Sequence, residues 1–303
     1  MIPLIYHPIY SDLPLPDGHR YPINKYRYLY EAIRKQTPWQ HRIDWVTPSA
    51  ITMDEAARTH CDQYLDLLCR GALPAAKMRR IGFPWSEQLI TRTLTSAGGT
   101  CATVDAALER GVAIHLSGGY HHAHYDFGSG FCLINDLVIA AKRALTNEHV
   151  DTVLIVDSDV HHGDGTATLC RDEAEIITLS FHCDKNFPAR KPDSNLDVAL
   201  SKGTDDATFL SHFTSVVEMA VNLHQPDFIL YDAGVDIHQE DELGYFNVST
   251  QAIYQRDRAM FEVATRRGVP IACVVGGGYR TRHEDLVPIH MQLIQAAMDV
   301  YKD

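Results

Sequence analysis

Residues 157–164, DSDVHHGD, place three aspartates and two histidines in eight positions, directly after the apolar run Val153-Leu154-Ile155-Val156. Unpaired carboxylates buried at the end of a strand cost several kcal/mol each, so this cluster needs a cation. Asp159 and His161 stand two residues apart, and side chains of an extended segment alternate, so both reach the same side. A third ligand must come from elsewhere, and Asp236 in DAGVD, after another apolar run, is the best candidate. Three protein ligands with an open position is the pattern of a catalytic rather than a structural zinc. His121 and His122, which follow Gly118-Gly119, form a second pair. Asp157 and Asp164 are left over to orient one imidazole each, fixing its tautomer and raising its basicity. Tyr279, in GGGYR, offers a phenol that can donate to a developing oxyanion.

Each of these residues also has a plainer reading. Asp164-Gly165 alone reads as a turn, and capping aspartates in a solvated loop would account for the first cluster by itself. A His-His dipeptide alone carries little, and Tyr279 could be an amphipathic surface side chain on a flexible turn. His238 repeats the Asp-x-His spacing behind Asp236 and reads as a supporting or loop histidine. His124 and His182 read as local hydrogen bonders. Phe131, in GSGFC, is a core residue on general grounds, but it lies between site segments.

The elements that carry these residues favour the chemical reading. Short apolar runs at 3–7, 112–116, 152–156, 176–181, 228–231 and 271–275 read as strands. Amphipathic segments at 25–35, 53–69, 85–109, 133–146, 207–223, 251–267 and 285–301 read as helices. Thr52 and Glu55 fit a capping box, and Gly71, Gly111 and Gly268 fall where C-caps belong. Alternating helices and nearly all-apolar strands predict an α/β fold with a parallel sheet covered on both faces. Five of the strands are followed by SGGYHHAH, DSDVHHGDG, HCDKNFP, DAGVDIHQED or GGGYR. Ligands of open α/β sheets bind outside the carboxyl ends of strands, so the five ends predict one shared site.

Bulk properties narrow the class. The 303 residues, 45% hydrophobic and 22% charged, have ordinary globular proportions and contain no linker-like tract or repeat, so residues 1–303 read as one domain. The first residues lack a basic and apolar leader pattern, and no stretch has the length of a membrane span, which predicts a cytoplasmic protein. Seven cysteines without a C-x-x-C spacing argue against a disulfide framework and a cysteine zinc site. A net charge of −12 argues against direct nucleic-acid binding and favours basic partners such as lysine-rich peptides or polyamines.

SGGYHHAH, GSGFCLIND, VDSDVHHGDGT, DAGVD and GGGYR, in this order over about residues 115–280, resemble the zinc-dependent histone deacetylase superfamily. IGFPWSEQLITRTLTSAGGT and YDAGVDIHQEDELG are most similar to the short class IV branch and its bacterial relatives. The resemblance implies the arginase-deacetylase fold, a parallel sheet of about eight strands flanked by helices. It makes Asp159, His161 and Asp236 the ligands of one zinc ion. It pairs His121 with Asp157 and His122 with Asp164, and makes His122 the general base that activates the zinc-bound water. It or His121 then protonates the leaving amine. Tyr279 binds the tetrahedral oxyanion. Phe131, next to Gly130, forms one wall of an acyl-lysine channel and Phe187 the other. Ala189-Arg190 after Pro188 departs from the Gly-rich pattern of many members. The resemblance also implies a structural potassium ion, held by main-chain oxygens of Asp157, His161 and Phe181 and side-chain oxygens of Asp159 and Ser180.

The reading that follows is a zinc-dependent lysine deacylase acting on acylated proteins or peptides, as a monomer or small homo-oligomer. The alternatives are a deacetylase of acetylpolyamines or another small acylated amine, an arginase-like ureohydrolase, and a pseudo-enzyme that only binds acyl-lysine. The ureohydrolase would need a two-metal ligand set, and the pseudo-enzyme would be expected to have lost a ligand or the tyrosine.

Overall fold

A computed structural model describes residues 1–302. Eight strands, β1 (Ile2–Ile5), β2 (Ile43–Val46), β3 (Val112–His115), β4 (Val153–Asp157), β5 (Ile176–Cys183), β6 (Leu196–Leu200), β7 (Phe228–Asp232) and β8 (Ile271–Val274), form one sheet. Its order is β2-β1-β3-β8-β7-β4-β5-β6, and every neighbouring pair is parallel. All residues of β1, β3, β4, β7 and β8 are buried, as expected of parallel strands covered on both faces.

Among the described residues, ten α-helices lie between and around the strands: α1 (Lys25–Arg34), α2 (Met53–Ala57), α3 (Asp62–Cys69), α4 (Ala75–Ile81), α5 (Glu87–Arg110), α6 (Asp136–Ala144), α7 (Asp164–Leu169), α8 (Asp206–His224), α9 (Thr250–Arg267) and α10 (Val287–Val300). α5 packs along β1, β3 and β8 and against α6, while α8 packs on β4 and β5 and against α9. α9 in turn meets α10, which meets α1. Among the described residues, no helix is long and apolar enough to cross a membrane. All seven cysteines are free thiols.

The six strands expected from apolar runs all form, and two more, β2 and β6, close the edges of the sheet. An edge strand has one neighbour, and β6 alternates between exposed and less exposed positions, so its sequence LDVAL lacks the unbroken apolar run of a central strand. The helix expected over 53–69 is two helices, because the chain turns at 58–61, where the Cys61 amide donates to the Tyr125 carbonyl at 2.8 Å. The Thr52–Glu55 capping box is present, with Glu55 N–H on Thr52 Oγ1 and Thr52 N–H on the Glu55 carboxylate. Asp164-Gly165 is the first turn of α7 rather than a free turn.

The polar segments follow β3, β8, β7, β4 and β5, which are consecutive in the sheet. Neighbouring strands lie about 4.8 Å apart, so five remote sequence segments converge within a few side-chain lengths.

One buried ion pair braces this edge from beneath. Arg256 on α9 is fully buried and donates to Asp257 Oδ1 at 2.9 Å, to Gly234 O at 2.6 Å and to Ala233 O at 3.1 Å. Tyr231 at the end of β7 donates to the same Asp257 oxygen at 2.7 Å. The loop that delivers Asp236 is therefore tied to α9 through its carbonyls. Removing one member of such a pair strands the other charge. Arg256→Ala is expected to lower unfolding free energy by about 3–5 kcal/mol, read from urea denaturation. A loss under about 1 kcal/mol, the worth of an exposed pair, would show that the pair does not brace the loop.

Candidate active site

Asp159 and His161 leave the end of β4, and Asp236 leaves β7 beside it. All three are buried, and their ligand atoms lie within 4.8 Å of one another. His161 Nδ1 is 3.0 Å from Asp159 Oδ1 and 3.0 Å from Asp236 Oδ2. The remaining carboxylate oxygens are fixed by backbone donors: Val160 N–H reaches Asp236 Oδ1 at 2.8 Å, and Gly277 N–H reaches Asp159 Oδ2 at 3.1 Å. Burial, and next the charge of Asp159, raise the Asp236 carboxyl to about 8. Burial works against ionising Asp159 too, but His121 and His161 outweigh it and hold that carboxyl below its usual range. Two carboxylates and one imidazole in a dry pocket are short of positive charge. That donor set fits a divalent cation.

His121 and His122 follow β3 and sit over the same place. His121 Nδ1 contacts Asp157 Oδ2 at 2.7 Å, and His122 Nδ1 contacts Asp164 Oδ1 at 2.7 Å. With both Nδ1 protons donated to carboxylates, the two Nε2 atoms face each other at 3.1 Å, close enough to share a single further proton. Burial disfavours a charged His121, but Asp157 and Asp159 overcome it and push the ring well above its usual value. Burial, then the charge on His121, lower His122 to about 3. The pair is thus one charged and one neutral imidazole. Asp164 also accepts from or faces His124 Nε2 at 3.0 Å, so His124 joins this network instead of bonding only locally.

Tyr279 follows β8, and its ring lies 6.2 Å from the His161 ring. Burial, then Asp159 and Asp236, raise its phenol well above the ordinary value, so it is a protonated donor. Phe131 lies 6.0 Å from the Tyr279 ring, and Phe187 stands edge-on to His122 at 4.8 Å. These residues line a cavity of about 800 Å³ that also reaches His161, Asp164 and Tyr279. Gly130 brings the backbone against the site, since a Cβ there would lie 2.6 Å from His122 Cδ2. Ser180 stands beside Asp157 in the β4–β5 register, with Phe181 next in the strand. The Asp159 carboxylate is turned to His161 and Gly277.

His182 and His238 form local contacts, with Ser180 Oγ and Thr250 Oγ1, both at 3.0 Å. Two other trios bring possible ligand atoms within 4.8 Å: His121, Asp157 and Asp232, and His162, His182 and Asp197. In the first, the 2.7 Å His121–Asp157 contact is the hydrogen bond already described. In the second, Asp197 is exposed on edge strand β6.

Sequence reasoning missed several positioning residues. Lys25 at the start of α1 is buried, and its ammonium donates to Gly276 O at 2.9 Å and Gly278 O at 3.4 Å. Burial lowers its pKa to about 8, against the pull of Asp236 and Asp159. Asp241 accepts from the Tyr279, Leu243 and Gly244 amides at 2.7–2.8 Å. Asp136 accepts from Tyr120 N–H at 2.7 Å and Gly119 N–H at 3.2 Å, and so shapes the turn before the histidines. Asn135 caps α6 through Val138 N–H and donates to Thr166 Oγ1, Ala123 O and His121 O at 3.0–3.4 Å. The signal for the last two was the IND of GSGFCLIND; Lys25 gave none.

The eight-stranded parallel sheet with its site at the carboxyl edge has the arginase-deacetylase architecture, a class of metal-dependent hydrolases. Sequence comparison resolves the class further. The histone deacetylase domain family matches residues 19–292. An uncharacterized protein of Picosynechococcus sp. is 40% identical over 299 residues, 99% of each chain. Histone deacetylase 2 of Arabidopsis thaliana is 31% identical over 206 residues, 66% of this chain and 51% of that protein. Acetoin utilization protein AcuC of Staphylococcus aureus (strain COL) is 32% identical over 232 residues, 69% of this chain and 59% of that protein. The match thus spans little more than half the length of these two named relatives. The chain belongs to the histone deacetylase family, hydrolases of amide carbon–nitrogen bonds that are generally zinc-dependent.

Asn135 separates capping from loop positioning. Asn135→Asp keeps the oxygen that caps α6 but turns the amide donor into a carboxylate facing two carbonyls. A loss of about 1–3 kcal/mol in unfolding free energy is expected, the cost of an unmatched buried polar group. Stability equal to the parent would mean that the amide donors do not hold the histidine loop.

Proposed function

We propose that this protein hydrolyses the amide bond of N6-acyl-lysine in proteins or peptides, using one zinc ion held by Asp159, His161 and Asp236. The observation that carries this reading is that a charge-deficient ligand trio and two carboxylate-backed imidazoles meet at one aromatic-walled cavity. When bound, the ion polarises the amide carbonyl and makes a water easier to deprotonate. His122 is neutral, with its Nδ1–H fixed by Asp164, so its Nε2 is the ring nitrogen left to accept the proton of the attacking water, exchanging its contact with His121 for that proton. His121, protonated beside Asp157, holds a proton within 3.1 Å of His122 and keeps the pair supplied for the departing lysine amine. The Tyr279 phenol donates to the oxyanion, and the Asp241 bond to its backbone amide sets where it stands. Phe131 and Phe187 pack the apolar lysine stem between them, beside Gly130. No step uses a cysteine.

A structural potassium ion belongs to the same proposal. The Asp157–Ser180 register, with Phe181 adjacent, supports it more than the Asp159 carboxylate does, because that carboxylate is engaged elsewhere.

Two substitutions test the assignment with purified, zinc-loaded protein and an acetyl-lysine peptide. His122→Ala should keep about one zinc ion per chain by elemental analysis while kcat falls about 10²–10⁴-fold, the worth of a positioned base. Loss of the metal in that variant would make His122 a ligand, and near-parental turnover would pass the base role to His121. Tyr279→Phe keeps the ring and removes the donor, so kcat should fall about 10²-fold or more with KM little changed. An effect confined to KM would reduce Tyr279 to a binding residue. Two tightly bound divalent ions per chain in the parent would favour ureohydrolase chemistry instead.

A further inference from the structure

The outer end of the cavity carries Arg20, Arg80 and Arg190, all exposed. None of the three has an ion-pair partner among the described residues. Arg20 donates only to the Glu242 backbone carbonyl at 3.3 Å. Arg80 reaches Ser129 Oγ at 3.4 Å and lies over the Phe127 ring at 4.0 Å. Lys202 stands over Tyr245, another wall residue, at 4.6 Å from its ring centre.

What sets these three apart is that they gather at one opening. The chain has 39 acidic and 27 basic residues besides histidine, so a surface arginine has acids in excess to pair with. Elsewhere some do so, such as Arg70 with Asp66, Arg143 with Asp105, Arg258 with Glu262, and Arg266 and Arg267 with Glu218, while exposed Arg34, Arg58, Arg79, Arg110 and Arg171 stand without ion pairs among the described residues and do not line the cavity. Two acids line the cavity, and neither ion-pairs with an arginine among the described residues. The Glu242 carboxylate accepts from Thr281 N–H at 2.7 Å and Thr281 Oγ1 at 3.0 Å, and Asp164 is held by His122 and His124. Three guanidiniums left without carboxylates at one opening are a set of forked donors free for carboxylates from outside.

We infer that the substrate carries negative charge on the part that stays at the cavity mouth. This rests on the acyl-lysine reading above and sharpens it: the scissile amide lies deep among His122, His161 and Tyr279, while the arginines meet what flanks it. The matching substrate is an acyl-lysine with aspartate or glutamate neighbours, or one bearing its own free carboxylate. A lysine-rich peptide or an acylated polyamine would bring cations to cations. The preference for basic partners expected from the net charge is therefore reversed where substrate enters, because recognition follows the local field and not the sum.

Fluorescence anisotropy tests this without requiring turnover. Labelled acetyl-lysine peptides of equal length, flanked by Glu, Gln or Lys, are titrated with the full-length zinc-loaded protein. Exposed ion pairs shift affinity by roughly two- to fivefold each, so the Glu peptide should bind about tenfold or more tighter than the Lys peptide near 0.05 M salt. The difference should collapse near 0.5 M salt. In Arg20→Glu/Arg80→Glu/Arg190→Glu the order of the two peptides should invert, with thermal unfolding of that variant checked alongside. Free N6-acetyl-lysine compared with its carboxyl amide separates a small-molecule carboxylate from flanking side chains as the source of the charge. Equal or stronger binding of the Lys peptide by the parent, or an unchanged order in the folded triple variant, overturns the inference. Hydrolysis of the Gln peptide is measured in parallel: if that fails while the Glu peptide still binds best, the deacylase reading falls and the anionic mouth stands.

Discussion

Negative charge packed at the end of a sheet is the constraint on which the structure turns. Asp136, Asp157, Asp159, Asp164, Asp232 and Asp236 are all buried along one edge. Water cannot stabilise them there, so each depends on a donor built into the fold. Asp157 and Asp164 have imidazoles, Asp136 has backbone amides and Thr100, and Asp159 and Asp236 share His161. Asp232 is the extreme case: burial, then Asp157 and Asp159, hold its carboxyl well above the usual range, and one of its oxygens has no partner. The chemistry proposed for the site is an outlet for this imbalance, since a divalent cation beside Asp159 and Asp236 supplies the missing charge.

The rest of the architecture serves that edge. Parallel strands all end on the same side, so β3, β8, β7, β4 and β5 each contribute a loop there without any reversal of the chain. The loops are then pinned from behind. Arg256 takes the carbonyls after β7, Lys25 takes those after β8, and Asn135 takes those after β3. Each is a buried cation or amide donor bonded to main-chain oxygens. Such bonds hold the backbone, and thereby the aim of side chains one or two residues away, more firmly than packing of those side chains alone.

Charge also divides the molecule by depth and by location. A net −12 describes the whole surface, yet the cavity mouth presents unpaired arginines while its floor gathers carboxylates and histidines. In the proposed reaction, a substrate's apolar stem would pass between Phe131 and Phe187, which both line the cavity, from one field to the other. Arg190 lines the cavity, so Ala189-Arg190 adds to the rim a charge that composition could not assign to any place.

The sequence by itself determined the class of fold and the inventory of the site. Unbroken apolar runs require burial on both faces, and Asp159-x-His161, His121-His122, Asp236 and Tyr279 each followed such a run, so their convergence was legible before any coordinates. The edge strands β2 and β6 were not legible, because a half-exposed strand carries no such run. Nor were Lys25, Asp241 and Arg256, since a charged residue in a polar-looking segment shows nothing of whether the fold will bury it. Tertiary structure alone decided that Arg256 and Lys25 are interior and that Glu242 and Asp164, the acids lining the cavity with Arg20, Arg80 and Arg190, bond to other groups. It decided as well that the two histidines face each other through Nε2. The physical reason is common to all of these: pattern along a chain records the average environment of an element, whereas hydrogen bonds and ion pairs are settled by which distant groups arrive at the same point.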